Sequence, residues 1–152
     1  MTRTVWTAFA GLLLVIALAG CETPPTTRVA SAKAETELTG MQVRQFATTD
    51  TRAVVRAVVR TLSDMGYIVD KVRPEEGLIE ASKGTELYVT SKVSKPEASR
   101  TRVQMDAFVF HLNQWAFSQS DLQKLIQVDD PEFYQKYLFD PLSKALGVAA
   151  TN

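Results

Sequence analysis

The sequence predicts an α+β fold, an antiparallel sheet of about four or five strands with helices packed on one face. Three observations carry this. Between Thr51 and Met65 the apolar residues Val54, Ala57, Val58, Leu62 and Met65 recur at helical spacing. From Tyr67 to Phe110 the pattern changes to period-two alternation interrupted by polar turns. Near the C-terminus, Asp130-Pro131-Glu132 marks a second helix start. Consecutive hairpins leave one sheet face free, and helices before and after them can cover it.

Taken in chain order, Arg3 precedes an uncharged run from Val5 to Leu18 that closes on Ala19-Gly20. Charge, apolar run and small residues together predict a cleaved signal peptide over 1–20. The run falls short of the ~20 apolar residues a spanning helix needs. From Glu22 to Thr39 only Val29 and Leu38 are large aliphatics among Thr, Ala, Glu and Pro. Such composition cannot bury a core, so 21–40 reads as a flexible linker. A single domain is expected over 41–147, with 148–152 as a C-terminal tail.

Within the domain, Met41 to Phe46 reads as a first strand, and Thr48, Thr49 and Asp50 offer oxygens to cap the helix that follows. Gly66 ends that helix. Tyr67 to Val72 and Leu78 to Ser82 form a hairpin around Pro74 and Gly77. Over Glu86 to Val93, Leu87, Val89, Ser91 and Val93 share one face; over Arg102 to Phe110, Val103, Met105, Ala107 and Val109 do. In the last helix Phe133, Tyr137, Leu138, Leu142, Ala145 and Leu146 supply an apolar stripe, Pro141 should kink or split it, and Gly147 terminates it.

Composition narrows the chemistry. The chain has 152 residues, with Lys plus Arg 17 and Asp plus Glu 17, so no net charge draws it to nucleic acid. One Cys excludes an internal disulfide and a cysteine-rich metal site, and the lone His111 has no partner at metal-ligand spacing. No glycine-rich phosphate loop, Gly-x-Ser-x-Gly elbow or Ser-x-x-Lys pattern is present. Asp129, Asp130 and Glu132 are explained by capping and by the helix dipole. The reading is therefore not an enzyme, with no cofactor and no metal.

Two groups remain as candidate partner or ligand surfaces. Arg52, Arg56 and Arg60 fall at i, i+4 and i+8, one column on the first helix, where they form either a solvated face or a site for an anionic partner. Phe108, Phe110, Trp115 and Phe117 are the densest aromatic group. Covered, it is core; exposed, it is a binding patch.

Leu18-Ala19-Gly20-Cys21 resembles the lipobox of bacterial lipoproteins at all four positions. The resemblance implies cleavage before Cys21, attachment of a diacyl lipid group through its thiol and a covalent lipid as the only attached group. More than one acyl chain gives stable anchoring where one gives marginal binding. Glu22 in place of Asp after the lipidated Cys implies the outer membrane, facing the periplasm, or the cell membrane in an organism with only one. With Gly66-Tyr67-Ile68-Val69-Asp70, Gly77 to Ser82 and Asp130 to Tyr134, the chain resembles small periplasmic domains of accessory outer-membrane lipoproteins. That likeness implies a non-enzymatic interaction subunit with an envelope protein partner and a lipid-anchored membrane attachment; the alternative is a carrier or sensor of an apolar ligand such as a lipid.

Overall fold

In the computed structural model, residues 27–29, 31–95, 98–112 and 123–151 are described. Their order is β1 (Thr27–Val29), α1 (Glu35–Gln42), β2 (Val43–Phe46), α2 (Thr51–Asp64), β3 (Ile68–Arg73), β4 (Leu78–Lys83), β5 (Leu87–Val93), β6 (Thr101–Leu112) and β7 (Gln123–Gln127). A helix over 131–146 follows, made of α3 (Pro131–Tyr134), a π-helical stretch (Gln135–Phe139) and α4 (Asp140–Leu146), and β8 (Ala150–Thr151) ends the chain. The fold is α+β. Among the described residues one sheet of eight strands runs β1-β7-β6-β5-β4-β3, with β2 on β6 and β8 on β2. Every pair is antiparallel except β1 with β7, which is parallel.

Alternation in the strands sets which side chains face the helices. Ile79 and Ala81 of β4, Val89, Ser91 and Val93 of β5, and Thr101, Val103, Met105 and Ala107 of β6 are all buried on one face. Against them α2 sets Val54, Val55, Val58, Thr61 and Leu62, and the 131–146 helix sets Tyr134, Leu138, Phe139 and Leu142. Burying a large aliphatic or aromatic side chain is worth about 1.5–3 kcal/mol, so this layer is the main source of stability. Asp50 caps α2 by accepting the Ala53 N–H at 2.9 Å, in the place where the sequence offers capping oxygens. At the open edge, β3 carries a bulge between Val69 and Lys71 and a run of charged residues, devices that discourage further strand pairing.

β6 is long enough to serve two partners on its second edge. β2 pairs with its start, Phe46 opposite Thr101 through Val43 opposite Gln104, and β7 with its end, Gln127 opposite Phe108 through Gln123 opposite Leu112. The ladder is interrupted between them, and the Tyr134 hydroxyl fills the gap. It accepts the Ala107 N–H at 3.1 Å and the Gln42 amide at 3.2 Å, and donates to the Val128 carbonyl at 3.0 Å. A phenol has one donor and two acceptor positions, so this fully inaccessible group is satisfied.

The 131–146 helix differs from its expected form. Asp130 caps it and Pro131 occupies its first turn, as the sequence indicates. Pro141, however, does not split it. A proline inside a helix lacks an N–H and crowds the carbonyl four residues back. Here the preceding turn is π-helical, and the Asp140 N–H bonds five residues back to the Gln135 carbonyl. Tyr134, Leu138 and Leu142 are buried along one side, the wider turn brings in Phe139 beside them, and Tyr137 is half exposed.

Three further expectations need correction. The sheet has eight strands rather than four or five, because β1, β7 and β8 come from segments too short or too polar to show alternation. The linker expected over 21–40 does not extend through 27–40, where β1 lies along β7 and α1 buries Leu38. This segment is pinned by Ser31 Oγ donating to Asp129 Oδ2 at 2.7 Å and by Lys33 donating to the Asp129 carbonyl. The tail expected over 148–152 instead contributes β8, with Ala150 opposite Phe46.

Candidate functional site

The buried stripe of α2 places Arg52, Arg56 and Arg60 on its outer face, in the column their spacing indicates. Arg52 Nη2 stands 4.0 Å from Glu75 Oε1, and Arg60 Nε stands 3.6 Å from Asp64 Oδ2. All four side chains are mostly exposed, so these pairs are weak and leave the guanidinium groups available. Arg56, in the middle, has no ion pair among the described residues.

Beside this column runs an almost wholly apolar groove of about 450 Å³, lined by Val55, Val59, Val72 and Pro74 together with the three arginines. Its walls are α2 and the end of β3 with the turn after it. On the other side, a groove of about 770 Å³ lies between α2 and α4, lined by Arg56, Arg60, Asp64, Pro141 and Lys144 among others. Thr61 also lines it, and its hydroxyl is buried without a hydrogen-bond partner among the described residues. Arg56 and Arg60 thus stand on the ridge between an apolar and a mixed groove.

The other sequence candidates fall elsewhere. Phe108 and Phe110 are half-buried on the outer face of β6, opposite the face that α2 covers. The arginine column and the aromatic pair therefore do not form one site. Beneath Phe108 the covered face is filled by Met105, Ala107 and Val89, all buried. Cys21, Trp115 and Phe117 lie outside the described residues. His111 is exposed on β6. Asp129 accepts from Ser31, and Asp130 from the Glu132 N–H at 2.9 Å, both structural duties.

Groups with shifted proton affinity lie outside the groove. Burial raises the Tyr134 phenol above its ordinary 10.0, opposed by its hydrogen bonds with Ala107 and Gln42 and reinforced by Asp106 and Asp129. Burial also raises Tyr67. The Arg44 guanidinium, bonded to the Gly40 and Val43 carbonyls, is lowered by burial against the favourable charge of Asp140. Among the described residues no cluster of three or more His, Cys, Asp or Glu could hold a metal ion. No described helix is long and apolar enough to cross a membrane.

Sequence reading missed Val72 and Pro74, which it assigned to a strand and a turn. It also missed Val55 and Val59. A signal for the latter exists: Val54-Val55-Arg56 is repeated as Val58-Val59-Arg60, and the second valine of each pair widens the apolar face toward the arginines. Comparison with known proteins finds no matching family model and no matching curated protein.

Proposed function

We propose that the chain is a bacterial envelope lipoprotein, anchored through acyl groups on Cys21. Its domain acts without catalysis as an interaction subunit, and the occupant of the α2 groove is an acidic segment of an envelope protein that also carries apolar anchors. The observation behind this reading is the apolar groove of Val55, Val59, Val72 and Pro74 walled by Arg52, Arg56 and Arg60. Apolar anchors in such a groove supply affinity, roughly 25 cal/mol for each Å² removed from water. Guanidinium groups at its rim select carboxylates and fix their register, because Arg presents a planar fork that matches a carboxylate. Aliphatic and guanidinium linings suit binding better than proton transfer. The Leu18-Ala19-Gly20-Cys21 motif supports the anchor, and Glu22 supports the periplasmic leaflet of the outer membrane.

In-cell photo-crosslinking from position 72 tests the groove. One envelope protein is expected, captured in the native chain and lost in Arg56→Glu; capture unaffected by Arg56→Glu would refute the arginine-walled groove as its seat. Cys21→Ser tests the anchor, with a folded chain expected to leave the membrane fraction.

A further inference from the structure

We propose that the end of the sheet at which the chain enters the domain is a lipid-contacting surface, seated on the bilayer that holds Cys21. This rests on the anchoring proposed above and adds an orientation to it. Residues 22–26 separate Cys21 from Thr27, and six Cα-to-Cα steps span at most about 20–22 Å however they run. Thr27 opens β1 opposite Lys124, beside His111 near the end of β6. A lipidated Cys21 therefore holds this end of the sheet close to the headgroups. The linker expected from composition would have let the domain move away, but docking of 27–40 removes most of it.

Surface chemistry points the same way and does not depend on the tether. The described residues include six exposed large hydrophobic side chains, Ile68, Val72, Tyr88, Val109, Ile126 and Tyr137, between 37% and 67% accessible. Register places Ile68, Tyr88, Val109 and Ile126 at the tethered end. Leu87, Val109 and Ile126 are direct cross-strand neighbours in one row. In the adjacent row on the opposite face, Ile68, Ser82, Tyr88 and Phe108 stand opposite one another in turn. Tyr137 lines a groove with Leu87 and Phe133, which brings the 131–146 helix to the same end. Val72 is at the far end, in the α2 groove.

Apolar side chains concentrated where the chain is tied to a membrane lose their hydration cost by entering the interfacial layer. Tyr88 and Tyr137 suit that depth, with an apolar ring and a hydroxyl that stays among the headgroups. Seated in this way, α2 runs from Met65 near the bilayer to Arg52 away from it, and the arginine-walled groove stays open to a periplasmic partner.

The test uses the full-length processed chain in cells, with a diazirine amino acid replacing Val109, Ile126 or Tyr137 singly and Val72 as reference, followed by mass spectrometry of the adducts. Phospholipid adducts several-fold more abundant at Val109, Ile126 and Tyr137 than at Val72 are expected. Equal or greater lipid capture at Val72, or capture of protein in place of lipid at the three positions, would overturn the orientation. The acylation state of the Cys21 peptide, read in the same spectra, separates the two failures. A chain without acyl groups defeats the anchor and the seating together. An acylated, membrane-bound chain without lipid adducts at these positions defeats the seating alone.

Discussion

The two halves of β6 share one alternation and have different fates. In the first half Thr101, Val103, Met105 and Ala107 are inaccessible, whereas two residues beyond Ala107, on the same face, Val109 is 42% exposed. The first half is flanked by β2 and covered by the helical layer; the second runs past the Tyr134 hydroxyl onto β7. Periodicity thus sets the direction of a side chain but not whether anything lies above it. The same division separates Met105 and Ala107, which are core, from Val109 and its cross-strand neighbour Ile126, which are both 42% exposed.

Substitutions can break that contrast directly. Met105→Ala should cost about 2–5 kcal/mol in urea unfolding, the range for opening a cavity under a buried side chain, while Val109→Ala should stay within about 0.5 kcal/mol, as exposed sites do. Equal costs would mean that the second half is covered after all. The glycines of two turns sharpen the comparison. Gly77 has φ +66°, and a Cβ there would lie 2.0 Å from the Val93 carbonyl oxygen; Gly84 has φ +61° with nothing within 4 Å. Gly77→Ala should therefore cost about 2–4 kcal/mol, from backbone strain plus displacement of β5, and Gly84→Ala about 1–2 kcal/mol from strain alone.

Tyr134 stands at the junction of the halves, and Tyr134→Phe should cost about 1–3 kcal/mol because Ala107, Val128 and Gln42 lose their partner in a buried place. Its raised pKa also has a signed consequence. The folded state holds the phenolic proton more tightly than the unfolded chain, so this contribution is complete below about pH 10 and is lost as pH rises toward the folded value. Urea midpoints between neutral and strongly alkaline pH should fall in the native chain and fall less in Tyr134→Phe. Tyr67, raised in the same direction, keeps the variant from becoming flat. The smallest effect is expected at Ser91, whose buried hydroxyl has no partner among the described residues, so Ser91→Ala should be neutral or stabilise by up to about 1 kcal/mol. A loss of stability there would reveal a partner for the hydroxyl.

Of the candidate site, the arginine column was readable because i, i+4 spacing on one helix is a local property. The groove beside it was not, since Val72 and Pro74 reach α2 only through the tertiary fold. Similarly, α1 was hidden by a polar segment in which Leu38, Met41 and Gln42 alone are buried, and β1 by its length and by a pairing with β7 from the other end of the chain. Tyr134 stands four and eight residues before Leu138 and Leu142, on their side of the helix, but spacing says nothing of its hydroxyl, whose partners Ala107, Val128 and Gln42 arrive from other elements.

Residue order alone determined the inward faces of β5 and β6, the cap and buried stripe of α2, the start of the last helix and the four-residue motif ending in Cys21, since each depends on neighbours within a turn or a pleat. Docking of 27–40, the junction at Tyr134, the groove beside the arginines and the exposure of Val109 and Ile126 were decided by packing. Each of these is a contact between residues far apart in the chain, or the absence of one, and local periodicity carries no information about what arrives to cover a face.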